Sequence, residues 1–123
     1  MESPAPEEVD PVIFIVVKFP IRPDKADEWL GLVDEFTQAT RGEEGNLFFE
    51  WSRSVDDPNE FTLVEAFESP EAGGVHVNTD HFKKAMSWMP DVVAANPKIV
   101  HFEVPQDGWS KMAEIEPRQG ASA

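Results

Sequence analysis

Cysteine is absent from all 123 residues. With it go thiol nucleophiles, thiolate metal sites and iron–sulfur clusters, and the composition fits a reducing cytoplasm. Basic residues are scarce: 10 Lys and Arg stand against 24 Asp and Glu, for a net charge of -14 at pH 7. Nucleic acid and anionic membrane are bound through clustered Lys and Arg that release counterions, so neither is expected as a partner. No apolar run approaches the roughly 20 residues that a spanning helix needs. The N-terminus, Met1-Glu2-Ser3-Pro4-Ala5-Pro6-Glu7-Glu8, lacks a basic region leading into an apolar one, so a cytoplasmic protein is expected. Gly73-Gly74 lacks the strand-turn-helix spacing of a nucleotide fingerprint, and no nucleophile elbow marks a Ser-His-Asp hydrolase.

What the chain does contain is one domain's worth of regular pattern. Residues 1–11 hold three prolines and four acids with little that is apolar, so they read as a disordered tail. Residues 105–123 read as a partly disordered extension, floppy from Glu116 onward. Between them, over 12–104, Val12 to Phe19 is a β-branched, nearly continuous apolar run closed by Pro20 and Pro23, which predicts a strand covered on both faces. Ala26, Trp29, Leu32, Val33, Phe36 and Ala39 recur at helical spacing up to Arg41-Gly42, with Asp24, Asp27 and Glu28 near the positive end of the dipole. Trp29 and Phe36 on that helix are read as core.

Gly45 opens a strand over Leu47 to Ser54, with Leu47, Phe49, Trp51 and Arg53 on one face by parity. Asp56-Asp57-Pro58-Asn59 supplies a turn, and Glu60 to Phe67 returns as its hairpin partner. Ser69 caps a helix that has Pro70 in its first turn. Two glycines weaken it, and Asn78-Thr79-Asp80 offers a fresh cap, so a broken helix is expected near 70–77 and 79–89, ended by Pro90. Ile99 to Val104 is the last core strand. Strand, helix, strand, strand, broken helix, strand is the ferredoxin-like split βαβ order, an α+β fold with an antiparallel sheet and its helices on one face. Apolar residues on both sides of these strands imply that the bare face meets a second copy, giving a homodimeric α/β barrel.

Glu65 alternates with Phe61, Leu63 and Phe67, which puts a carboxylate on an oily face. There it must be paired or take up a proton. His76 is its nearest candidate partner, and Arg53 across the hairpin a second. The pair is either a structural tie or a base, His76, held by Glu65 and able to take a phenolic proton. His81, in the first turn of the next helix, is a pocket-lining or solvated residue. It lies five positions from His76, about 140° around a continuous helix, whereas a metal clip on one helix wants three or four. A break at Asn78 allows convergence, yet no further ligands cluster nearby in sequence, and no metal is expected. His101 stands alone on a strand and reads as structural. Phe49, Trp51 and Trp88 are each either core or the wall of an apolar slot for a flat ligand.

Four segments resemble the antibiotic biosynthesis monooxygenase family: Gly45-Asn46-Leu47-Phe48-Phe49-Glu50, Asp57-Pro58-Asn59-Glu60-Phe61, Val64-Glu65-Ala66-Phe67-Glu68-Ser69 and His76-Val77-Asn78-Thr79-Asp80-His81-Phe82. They fit that family's glycine-led strand, its strand ending in Glu-x-Trp and its His-x4-His-Phe, in order, within residues 12–104. The resemblance implies a dimeric barrel and a cofactor-independent oxygenase of quinols or polycyclic phenolic aromatics, with molecular oxygen as co-substrate. Non-catalytic binding of a hydrophobic metabolite and isomerisation of a small carbonyl compound remain open as alternatives. His76 and Glu65 are the expected catalytic candidates, and His81, Phe49, Trp51, Phe67, Phe82, Met86 and Trp88 the residues expected to line the substrate. Phe67 replaces the family's frequent tryptophan, which implies a different substrate. Related haem-degrading enzymes carry a histidine about one turn beyond the Phe82 position, where this chain has Met86, so neither haem nor flavin is expected.

Overall fold

A computed structural model describes residues 10–105 and 108–118. The first strand, β1, spans Val12–Pro20, and β2 (Asn46–Arg53), β3 (Glu60–Phe67) and β4 (Lys98–Val104) complete one sheet in the order β2-β3-β1-β4. Every neighbouring pair is antiparallel. Helices α1 (Trp29–Leu32), α2 (Asp34–Arg41), α3 (Pro70–Val77) and α4 (Asp80–Trp88) fill the two connections. This is the ferredoxin-like α+β arrangement that the element order predicts. Among the described residues, no helix is long and apolar enough to cross a membrane.

Strand register sorts the side chains into two faces. Toward the helices, Phe49, Glu65 and Ile15 lie in one row and Trp51, Leu63 and Val17 in the next. The core is built on that face around Trp29, whose ring is fully buried and packs 5.5 Å from Phe19, 5.6 Å from Trp51 and 5.9 Å from Trp88, centroid to centroid. On the outer face, Phe48, Ala66, Phe14 and Phe102 form one row and Val64, Val16 and Val100 part of another. Phe102 and Val100 are more than half exposed there. Trp109 of the C-terminal extension folds onto Phe48 at 5.2 Å, and its segment borders a hollow of about 360 Å³ with Phe14 and Leu47.

Two local readings need correction. Leu47 does not share the inner face with Phe49: the pairing skips it between Asn46 and Phe48, and it lines the outer hollow. A bulge sets two residues against one and so reverses parity from that point. The Asn46 side-chain amide fastens it, donating to the carbonyls of Phe48 (3.0 Å) and Ala66 (3.2 Å). The single helix expected to run up to Arg41-Gly42 is also interrupted, running as a 3-10 turn over Ala26–Glu28, then α1, then α2 beyond Val33. Gly31 weakens the middle piece, and the Thr37 hydroxyl donates back to the Val33 carbonyl at 2.7 Å, a bond that competes with regular helix geometry. Trp51 Nε1 then donates to the same Thr37 oxygen at 2.9 Å and ties α2 to β2.

The break between α3 and α4 follows from its caps. Ser69 Oγ accepts from Ala72 N at 3.0 Å and starts α3. Thr79 Oγ1 accepts from Phe82 N at 3.2 Å and donates to the His76 carbonyl at 2.7 Å, so one hydroxyl ends the first helix and begins the second. Gly45 matters for the same region: a Cβ there would collide with the Ala72 side chain, so the loop before β2 lies hard against α3 only because this residue has none.

Candidate functional site

His76 lies in the last turn of α3 and is 5% exposed; His81 opens α4. Because the chain turns at Asn78-Thr79, both rings point at one carboxylate. Glu43, on the loop after α2, places its Oε2 2.8 Å from His76 Nδ1 and 2.5 Å from His81 Nε2. The angular separation of a continuous helix therefore does not hold, and the ring centroids of the two histidines are 6.2 Å apart. Glu43 is the residue that sequence reasoning missed. Its only local sign is its place two residues before Gly45, since its burial arises from the approach of a loop to two helices.

Glu65 sits late in β3 on the inner face and His76 is the histidine it faces, both as expected, but the two do not hydrogen-bond. Its Oε1 is 4.0 Å from His76 Nε2, beyond hydrogen-bond reach, and has no hydrogen-bond partner among the described residues. Arg53 does not reach it either: the guanidinium is held at the far end of the hairpin by Asp27 (2.9 Å) and lies over Phe61. Burial pushes the Glu65 carboxyl up from 4.5 to about 8, and the charge of Glu43 pushes the same way. Burial pulls His76 below its ordinary 6.5, against the Glu43 hydrogen bond and charge, which favour its protonated form.

The aromatic neighbours grip the His76 ring. Phe67 lies 4.8 Å from it, Phe82 5.1 Å and Phe36 5.9 Å, so the imidazole cannot swing. With Nδ1 donating to Glu43, Nε2 is the unprotonated nitrogen and faces Glu65. Both residues border a cavity of about 620 Å³ between the sheet and α4, walled by Val17, Phe19, Leu63, Phe82, Met86 and Met89 and closed by Ala94 to Pro97. Its volume lies within the roughly 300–1,000 Å³ usual for small-molecule pockets.

Of the candidate substrate-lining residues, Phe82 and Met86 border this cavity with His76 and Glu65. Phe49 and Trp51 are turned into the aromatic cluster around Trp29 and Phe36, and Phe67 backs the His76 ring with no exposed surface. Trp88 and His81 border a separate surface groove between α2 and α4. His101 is exposed on β4, opposite Ile15.

The fold has relatives. The structure superposes on an antibiotic biosynthesis monooxygenase-like protein of Caulobacter crescentus with a TM-score of 0.74 at 24% identity, covering 80% of this chain and 93% of that one. Rv0793 from Mycobacterium tuberculosis gives a TM-score of 0.71 at 22% identity, covering 80% and 99%. In sequence, the Bacillus subtilis protein named "Putative monooxygenase YcnE" is 26% identical over 84 residues, 68% of this chain and 88% of its own length. The Synechocystis protein sll1783 is 23% identical over 95 residues, 77% of this chain and 64% of its own length. Residues 12–88 match the description of a single family over well more than half of the chain, and the protein therefore belongs to the antibiotic biosynthesis monooxygenase family.

Proposed function

We propose that this protein is a cytoplasmic, homodimeric monooxygenase that oxidises an uncharged quinol or phenolic aromatic without flavin or haem. The observation that carries the reading is the 4.0 Å gap between His76 Nε2 and the unpartnered Glu65 Oε1 at the wall of an apolar cavity. A substrate hydroxyl seated in that gap donates to Nε2 and accepts from the Glu65 carboxyl, which retains its proton in this dry surrounding. Among the described residues no Lys or Arg borders the cavity, which favours a neutral ligand over an anionic one.

Removal of the hydroxyl proton by His76 raises the electron density of the ring, the condition for reaction with oxygen. Glu43, accepting from Nδ1–H, holds the tautomer and favours the imidazolium that forms. The balance closes without another reductant: a quinol and O₂ give the hydroxyquinone and H₂O, four electrons passing from the organic molecule to oxygen. The outer sheet face supports the dimer, because Phe102 and Val100 are more than half exposed there, Phe14, Val16 and Val64 are half-buried, and self-complementary burial against a second copy would cover them.

Chelator-treated protein given a reduced naphthoquinone or an anthrone is expected to consume oxygen, and His76→Ala to lose about 10² to 10⁴ in rate while still binding the ligand. Binding with no uptake above the uncatalysed background, across a panel of phenols, would overturn the reading. An acid and a base facing each other across such a gap also suit proton relocation in a small carbonyl compound. Turnover of such a compound without oxygen would select the isomerase instead.

A further inference from the structure

The Glu43–His76–His81 cluster lies on the opposite side of the His76 ring from the cavity, and neither Glu43 nor His81 borders that cavity. We infer that these three residues form a binding site for one divalent transition-metal ion of the zinc class, with His76 Nδ1, His81 Nε2 and Glu43 Oε2 as ligands.

Two imidazoles and a carboxylate are a ligand set that zinc and neighbouring metals accept. The three donor atoms all lie within 4.8 Å of one another. Ligands at about 2.0–2.1 Å around a tetrahedral ion stand roughly 3.3 Å apart. The Glu43 oxygen, 2.8 Å from His76 Nδ1 and 2.5 Å from His81 Nε2, therefore has to draw back, and the partly exposed His81 ring has to turn toward His76 to bring the two nitrogens closer. The scaffold is fixed where it must be: Thr79 sets the angle between the two helices, and Gly45 lets the Glu43 loop press against α3. The remaining nitrogen of His76 faces the Glu65 carboxyl at 4.0 Å, the side on which metal-bound imidazoles generally find their outer partner.

Access and charge favour a cation. The His81 side chain is 24% exposed and that of Glu43 10%, so the site is sheltered but reachable. Glu43 borders a surface groove that Glu44, Glu68 and Glu71 also line, and a groove of one sign concentrates counter-ions at its floor.

Coordination has a consequence that rests on the proposed function. An ion on Nδ1 moves the ring proton to Nε2, so the nitrogen that faces the cavity becomes a donor and ceases to be a base. Metal occupancy therefore switches the oxygenase off from behind the substrate.

The test is calorimetric titration of the full chain, stripped with a chelator and dialysed, with zinc chloride. One ion per chain is expected, together with weakening by at least about tenfold in His81→Ala. Histidine ¹⁵N shifts should show the His76 proton moving from Nδ1 to Nε2 as zinc is added. Absence of saturable one-to-one binding would overturn the site, as would equal affinity in a folded His81→Ala, which would put the ion on other carboxylates. A His76 Nδ1 that keeps its proton in the zinc-saturated protein would overturn it too. Heat and stoichiometry report on the metal whether or not any phenol is oxidised, so failure here is separable from failure of the oxygenase reading.

Discussion

Glu65 Oε1 and His76 Nε2 face each other at 4.0 Å with no hydrogen bond between them, while the other nitrogen of the same ring is engaged by Glu43. A buried carboxyl left in this condition keeps its proton because nothing compensates its charge. Its cost to the fold therefore appears as the pH rises.

Between pH 6.5 and about 8 the unfolded chain has already released the Glu65 proton, whereas the native state still holds it. Burial keeps His76 neutral in the fold, and it is largely neutral in the unfolded chain above 6.5. The native state thus binds more protons, and unfolding free energy should fall as pH rises, by at most about 1.4 kcal/mol per pH unit. Below 6.5 His76 acts in the opposite sense, its contribution being lost as pH falls through its lowered value. Urea midpoints in the presence of chelator should decline from pH 6.5 to 8 in the native sequence and stay nearly level in Glu65→Gln; parallel declines would refute the assignment.

Thr79→Ala removes a helix cap and the tether on the His76 carbonyl together. A loss of about 1 kcal/mol is expected from chemical denaturation, with Thr79→Ser close to the native value. No difference between Ala and Ser would show that the hydroxyl does not set the break.

Gly45→Ala should destabilise by about 1–3 kcal/mol, since the added carbon overpacks against Ala72 and pushes the Glu43 loop from α3. The Gly73→Ala control has open space for its Cβ and should be neutral or stabilising. Thermal or urea melts of the two variants check the contrast.

Phe102→Lys places a charge in the outer row opposite Phe14. If a second copy covers that face, sedimentation should give a dimer for the native chain and a monomer of unchanged helicity for the variant. A native chain that sediments as a monomer would remove the barrel.

Legibility in the sequence tracked how local the cause was. Ser69-Pro70 and Thr79 declared their helix starts because capping is settled within a few residues, and the bounds of β3 from Glu60 to Phe67 followed from alternation and the Asp57-Pro58 turn. Glu65 was legible for the same reason, as an acid on an apolar face. Glu43 was not, since a loop acid among neighbouring acids looks solvated until two helices are folded over it. Leu47 misled because a bulge depends on what the facing strand skips, and the split at Val33 depends on a Thr37 back-bond that periodicity does not register. The family's segments reached Glu65, His76 and His81 but were silent on which nitrogen meets which oxygen.

The placement of the tryptophans makes the protein its own optical instrument. Trp29, Trp51 and Trp88 stand with Trp29 within 6 Å of each of the other two, so excitation of any one is shared among them, and their combined emission reports on the helix-covered core. Trp109 is 75% exposed on the other side of the sheet, against Phe48. Its emission is the redder component, accessible to a soluble quencher, and changes at that wavelength follow whatever covers or uncovers the outer face while the core signal stays still.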